Sequence, residues 1–259
     1  MLTESGSPNS GRAAREALPS AESPPRVSVV IPTLNEERNV GWVLERLPDL
    51  VDEVILVDGR STDGTVAVAR SVRPDIRVVM EMTPGKGAAL RAGFAAARGE
   101  YVVMIDADGS MDPAEIVRFV DALKAGCDFV KGSRFAPGGG TADMSTIRRL
   151  GNGALRSAVN LLYRTDFTDL CYGFIGFRRE RLASLRLASQ GFEIETEMIA
   201  RAVVASLHIA EVASFEAERR YGESHLSAWR DGRRALRTLL HERFILPDSP
   251  LAATTDGSQ

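Results

Sequence analysis

Tyr101-Val-Val-Met-Ile-Asp106-Ala-Asp108-Gly-Ser110 begins as a short apolar run and ends in two carboxylates one residue apart. The run predicts a buried strand. Residues i and i+2 of an extended chain point to the same side. A strand continuing through Asp108 would therefore bring both carboxylates to one spot past its C-terminal end, where open α/β sheets bind ligands. Two adjacent carboxylates repel unless a cation or a donor-rich ligand lies between them. Mg²⁺ is commonly held by one or two carboxylates plus substrate phosphates. The same residues also fit a plain turn, because Asp and Gly are turn formers.

The flanking sequence alternates strand and helix signals. On the N-terminal side, Val27-Ser-Val-Val-Ile31 is a β-branched run ended by Pro32, and a helical pattern from Arg38 to Leu47 follows. Glu53-Val-Ile-Leu-Val57 is a second strand, with a helix through about Arg70; Asp75–Met80 is a third, followed by an Ala-rich helix that ends near Gly99. On the C-terminal side, Asp112 and Pro113 suit the N-cap and first position of another helix, and Asp128-Phe-Val-Lys131 is a fifth strand. Alternation at this spacing implies a mostly parallel sheet with right-handed crossovers. Gly85-Lys86-Gly87 lacks the flanking residues of a phosphate-binding P-loop, and the chain has no G-x-G-x-x-G dinucleotide fingerprint.

Beyond residue 135 the pattern changes. Thr146–Tyr163 reads as an amphipathic helix with Ile147, Leu150, Ala154, Leu155, Val159 and Leu162 on one face and Arg148, Arg149 and Arg156 on the other. A strand is expected through Phe177, a helix from Phe192, a strand over His208–Phe215 and a last helix over Ser227–Phe244. In that helix Arg230, Arg233, Arg234 and Arg237 share a face, and Trp229, Leu236 and Leu240 form an apolar stripe, a pattern that suits either an anionic membrane surface or a solvated face.

The 259 residues carry 44% hydrophobic and 26% charged side chains, enough for a normal core. A net charge of −3 gives no argument for nucleic acid. Cys127 and Cys171 fit no disulfide or Cys-x-x-Cys scheme and suggest a reducing compartment. Every apolar run is well short of the roughly 20 residues that cross a bilayer. Residues 1–25 lack the apolar region of a signal peptide. The expected organisation is a disordered tail (1–25), one domain over 26–244 with a nucleotide-binding half (26–134) and an acceptor half (135–244), and a second tail (245–259). The expected location is cytoplasmic, peripheral on the inner face of the cell membrane, with contact made directly or through a membrane partner protein.

Seven segments in order resemble the glycosyltransferase family 2 enzymes, specifically the dolichol-phosphate mannose synthase-like, polyprenyl-phosphate sugar transferase group. They are Val29-Val-Ile-Pro32-Thr-Leu-Asn35-Glu36, Val57-Asp58 through Thr65, Gly85-Lys86-Gly87, Asp106-Ala-Asp108, Gly132-Ser-Arg134, Asp169 through Phe174, and Arg220-Tyr-Gly-Glu-Ser224. The resemblance implies a GT-A α/β fold, a nucleotide-sugar donor and Mg²⁺ or Mn²⁺. It implies that Pro32, Asn35 and Glu36 line the nucleotide pocket, with Asp58 at the base or ribose edge and Lys86 in the substrate-binding set. Asp106 would hold the sugar or nucleotide side, Asp108 the metal on the diphosphate, and Arg134 the donor phosphates. Arg220, Ser224 and His225 would meet the acceptor phosphate. Three positions depart from the group: Gly59 replaces a second Asp, Gly109-Ser110 replaces Leu-Gln, and His225 replaces Lys.

The implied chemistry displaces a nucleoside diphosphate from an anomeric carbon, and cations are needed on the leaving group. A polyprenyl phosphate acceptor is already anionic and needs no base; a hydroxyl acceptor would need one, and Glu195 is the candidate. Alternatives are the same chemistry on a soluble metabolite or natural product, and a degenerate nucleotide-binding regulatory protein. A nucleotidylyltransferase is disfavoured, because the Gly-rich N-terminal loop with its following Arg is missing.

Overall fold

The structure is a computed structural model; it describes residues 26–244 apart from 143 and 224–226. The two predicted tails lie outside the described residues.

In chain order the first elements are β1 (Val27–Thr33), α1 (Val40–Glu45), β2 (Glu53–Asp58), α2 (Thr65–Val72), β3 (Arg77–Met80), α3 (Lys86–Ala96) and β4 (Tyr101–Met104). Next come a 3₁₀ turn, α4 (Ile116–Lys124), β5 (Phe129–Ser133), β6 (Gly140–Thr141), α5 (Thr146–Tyr163) and β7 (Ile175–Arg178). The last are α6 (Leu182–Leu185), α7 (Ile194–Val204), β8 (Ile209–Ala213), β9 (Phe215–Glu216) and α8 (Ala228–Phe244).

Seven strands form one sheet in the order β3-β2-β1-β4-β7-β5-β8, and β6 pairs with β9 beside it. Its pairings are parallel except at β7, which runs antiparallel to both neighbours. Strands from both halves of the chain thus share one sheet. The period-2 alternation of β1 and β2 sorts their side chains onto two faces. Val29, Ile31 and Leu56 join Val43, Leu44 and Phe119 in one core, while Val30, Ile55 and Val57 join Phe94, Val159 and Met198 in the other. Helices therefore cover both faces, and at β1/β4 the order of connection reverses. A cleft outside the carboxyl ends of these two strands is the usual ligand site of such a sheet.

Several boundaries differ from expectation. β1 runs through Pro32 to Thr33; β4 stops at Met104 and does not reach Asp106. The chain turns there because the Asp108 carboxylate accepts from the Ser110 N–H (3.0 Å) and hydroxyl (2.8 Å). The turn reading of Asp-Ala-Asp therefore holds, and the strand does not carry the two carboxylates onward in extended register. α5 has the predicted bounds and a different buried face. Asn152, Leu155, Val159 and Tyr163 point inward, whereas Ile147 and Leu150 are 74% and 70% exposed.

Candidate active site

A cavity of about 330 Å³ opens beyond β1 and β4, lined among others by Pro32, Glu36, Lys86, Asp106, Asp108, Glu195 and Arg219. Its loops are held in unusual backbone conformations. Asn35 and Arg60, just past β1 and β2, have φ of 58° and 72°, positions that non-glycine residues take mainly at constrained sites. The Asn35 side chain does not line the cavity. Its Oδ1 accepts from the Thr62 N–H at 2.8 Å, and its own N–H donates to Ser61 Oγ at 2.9 Å. Asn35 therefore fastens the two loops together. Asp58 is also buried and set back. Its Oδ2 accepts from the Arg60 and Ser61 N–H groups, while its Oδ1 is buried with no hydrogen-bond partner.

Lys86 starts α3 and reaches the centre of the cavity. Its Nζ lies 2.6 Å from Asp106 Oδ1 and 2.7 Å from Glu195 Oε1. Burial works against the ammonium, but the charges of Asp106 and Glu195 outweigh it and hold Lys86 above the ordinary lysine value. Asp106 is pushed up to about 6, chiefly by burial, with Asp108 and Glu195 adding to the rise and Lys86 opposing it. The first turn of α3 is crowded. A Cβ on Gly87 would lie 2.4 Å from the Ser189 carbonyl oxygen, and one on Gly85 would meet that of Gln190. The Gly87 N–H donates to that Gln190 oxygen at 2.8 Å. Gly-Lys-Gly is thus a close-packing motif that delivers Lys86; its amides are not a phosphate cradle.

The arginine assignments need correction. Arg134 does not face the cavity. It is 4% exposed, forks onto Asp169 at 2.7 and 3.0 Å, donates to both Glu216 carboxylate oxygens and to the Cys171 carbonyl, and so has no donor left for phosphate. Arg220 is exposed and stacks on Trp42, its Cζ 4.8 Å from the ring centroid. Its neighbour Arg219 occupies the cavity instead, paired with Glu36 and lying 3.2 Å from Asp108 Oδ2. An Arg-Arg pair in a loop without periodicity gave no means of choosing between them. Ser224 and His225 lie outside the described residues.

A second cavity of about 490 Å³ lies between α5 and α8. Its walls include Ile147, Ala154, Leu155, Trp229, Ala235 and Leu236, and it shares Arg148, Cys171, Phe192 and Glu195 with the first. Sequence reasoning had the two helices and not the groove, because the groove arises from their pairing.

Among the described residues no three His, Cys, Asp or Glu side chains cluster as a self-sufficient metal cage. The donor set nonetheless fits a hard cation that shares its shell with a diphosphate, since such ions need only one or two carboxylates. Asp108 and Asp106 are the carboxylates available for such an ion, and Arg219 and Lys86 lie beside them here.

The chain matches the model of the glycosyl transferase family 2 over residues 28–186, more than half its length. It is 34% identical over 215 residues to the polyprenol monophosphomannose synthase of Mycolicibacterium smegmatis, covering 78% of this chain and 81% of that one. It is 34% identical over 214 residues to the undecaprenyl-phosphate mannosyltransferase of Micrococcus luteus, covering 78% and 88%. Against the glycosyltransferase AglJ of Haloferax volcanii it is 35% identical over 184 residues and spans only 58% of that protein. Among solved structures, glucosyl-3-phosphoglycerate synthase of Mycobacterium tuberculosis, in complex with Mn²⁺, UDP and phosphoglyceric acid, superposes with a TM-score of 0.69 at 27% identity, covering 85% of this chain and 78% of that one. The fold is of the GT-A type, and the chain belongs to glycosyl transferase family 2 and is a glycosyltransferase.

Proposed function

We propose that the chain moves a hexose from a nucleoside diphosphate sugar to a polyprenyl phosphate, with inversion at the anomeric carbon. The observation that carries this reading is the junction of the two cavities. A charged cavity opens into an apolar groove, and Arg148 and Glu195 line both. A lipid phosphate matches that layout, with its anionic head at the junction and its chain along the groove.

The donor nucleotide would lie over Pro32 and Glu36, and Asp58, set back from the lining, would shape the base or ribose edge by holding the Arg60 and Ser61 amides. Asp108, assisted by Asp106, would hold Mg²⁺ or Mn²⁺, and the ion would neutralise charge gathering on the departing diphosphate. Lys86 keeps Asp106 and Glu195 oriented toward the sugar. Glu195 is committed to this ion pair, which leaves it a poor choice as general base. A phosphate nucleophile needs none.

The outer surface favours a peripheral site of action. No helix among the described residues is long and apolar enough to cross a membrane. α5 and α8 run side by side in the same direction: the Tyr163 hydroxyl bonds the Leu239 carbonyl and Arg243 Nε that of Leu162. α5 contains no acidic residue, and both acids of α8, Asp231 and Glu242, are buried. The exposed charge on this pair is therefore cationic, interleaved with exposed Leu161, Trp229, Leu240 and Phe244. That combination suits the surface of an anionic bilayer.

A second reading has a soluble anionic acceptor, favoured by the likeness to a structure holding phosphoglyceric acid. The test offers radiolabelled UDP- and GDP-hexoses with Mn²⁺, either to polyprenyl phosphate in vesicles or to phosphoglycerate in buffer. Label in the organic extract, lost with EDTA and in Asp108→Ala, is expected. Label only in the aqueous product would replace the lipid by the soluble acceptor, and no transfer to either would overturn both readings.

A further inference from the structure

The loop over residues 217–223 lies directly on the carboxylates of the active site. Its backbone is stitched to the Asp-Ala-Asp turn, the Ala217 N–H donating to the Ser110 carbonyl at 2.8 Å and the Arg220 N–H to that of Asp108 at 3.2 Å. Arg220 stacks on Trp42 and Tyr221 under Arg38, with 4.0 Å from the Arg38 Cζ to the Tyr221 ring centroid. The Tyr221 carbonyl accepts from Asn39 Nδ2 and from Arg219 Nε. At the centre, Arg219 joins Glu36 to Asp108, the three side chains being 18%, 11% and 19% exposed.

The geometry points to Arg219 as a built-in stand-in for the divalent cation. It neutralises Asp108 and Glu36 while the site is empty, and it is driven off them when cation and donor bind, releasing the loop. This rests on the reading that a divalent cation and a nucleoside diphosphate occupy this cavity. The reasoning is electrostatic. A guanidinium and a divalent cation repel each other at the separation a shared carboxylate imposes, so a cation on Asp108 competes with Arg219 for it. A nucleotide hydroxyl donating to Glu36 would compete with Arg219 for Oε1, since Oε2 already accepts from Asn39 Nδ2 at 2.7 Å. Both anchors of Arg219 are therefore weakened in one event. Among the described residues the other ties of the loop include its backbone bonds, the Asn39 Nδ2 bond to the Tyr221 carbonyl and the stacking of Arg220 and Tyr221. The freed guanidinium then belongs near the anions that displaced it, the diphosphate and the incoming phosphate. Donor loading would thus precede opening of the acceptor side.

The test uses the full chain. Mn²⁺ binding is followed by electron paramagnetic resonance without nucleotide, in the wild type and in Arg219→Ala and Arg219→Lys. Removing the competing cation is expected to tighten Mn²⁺ roughly fivefold to thirtyfold in Arg219→Ala and little in Arg219→Lys. In a Trp229→Phe background Trp42 is the only tryptophan. Mg²⁺ with UDP or GDP should shift its emission as Arg220 leaves the ring, and Arg219→Ala alone should produce most of that shift. Arg219→Ala binding Mn²⁺ no tighter than wild type, or Trp42 unmoved by loading, overturns the stand-in while leaving the transferase reading intact. No Mn²⁺ or nucleotide binding in any variant overturns both.

Discussion

Arg134→Met separates two roles that the sequence could not. If Arg134 touched the donor phosphates, its loss would weaken nucleotide-sugar binding and leave the fold alone. The structure gives it another task. Its guanidinium is enclosed by Asp169, which is fully buried, and by Glu216, and both lie at hydrogen-bond distance. Burial opposes the charge on Asp169, yet the bonds from Arg134 and the charges of Lys131 and Arg134 hold its carboxyl below the ordinary value. Removing Arg134 strands two carboxylates in a poorly solvated place, which costs about 3–5 kcal/mol. For a folded unit of this size each kcal/mol lowers Tm by about 2–4 °C, so a fall of about 6–20 °C is expected. Arg134→Lys should fall between, because Lys keeps the charge and loses the fork. The assay pairs thermal unfolding with nucleotide-sugar affinity measured well below Tm. A Tm within about 2 °C of wild type, together with a more than tenfold loss of affinity, would refute the argument and return Arg134 to the donor.

Glu53 ties β1 to the α3–β4 connection through Ser28 and Arg98. Burial raises its pKa, but the Ser28 and Arg98 hydrogen bonds and the Arg98 charge win and leave it lowered. Its stabilisation is therefore present above the unfolded value and lost as pH falls through the folded one. Urea titrations of Glu53→Gln should show a loss of about 1–3 kcal/mol at pH 7 that narrows below pH ~4.5. A deficit that stays constant with pH would contradict this. A Cβ on Gly93 would lie 2.4 Å from a Val30 methyl and 2.8 Å from one of Val57, so Gly93→Ala should destabilise by about 1–3 kcal/mol despite alanine's helix propensity; a gain in stability would show that α3 can lift off the sheet freely. Burial, with the charges of Asp169 and Glu195, pushes the Cys171 thiol up to about 12. The native protein should therefore resist alkylation at Cys171 at pH 8, as followed by peptide mass, and rapid modification would mean that the junction opens.

The residues legible in sequence were those whose role depends on local pattern. Asp106 and Asp108 follow an apolar run that reads as a strand by itself, whereas the close packing of the glycines beside Lys86 appears only in the fold. α5 was placed to the residue because its apolar period is strong; its buried face was not. Ile147 and Leu150 continue the same stripe as Leu155 and Val159, and nothing in the period says which part of the stripe is covered. Arg134 and Arg219 failed for a related reason. The identity of a buried arginine's partners is a long-range fact, with Glu216 lying 82 residues from Arg134 and Glu36 183 from Arg219. The antiparallel β7 is equally hidden, because strand direction is set by where the chain re-enters the sheet.

The charge balance of the donor cavity bears on why a cation belongs there. Among the described residues its walls carry five carboxylates, Glu36, Asp106, Asp108, Glu195 and Glu216, against four cations, Arg60, Lys86, Arg148 and Arg219. Lys86 and Arg219 are each spent on two of those carboxylates. An incoming diphosphate therefore meets a surface whose positive charge is largely committed, and its own charge would be poorly received. A divalent ion changes the sum at the one point where the carboxylates converge. It also fits the partnering seen here: carboxylates so close together must be neutralised in every state of the protein, by Lys86 and Arg219 in this structure and, in the loaded state proposed above, by Lys86 and a divalent ion.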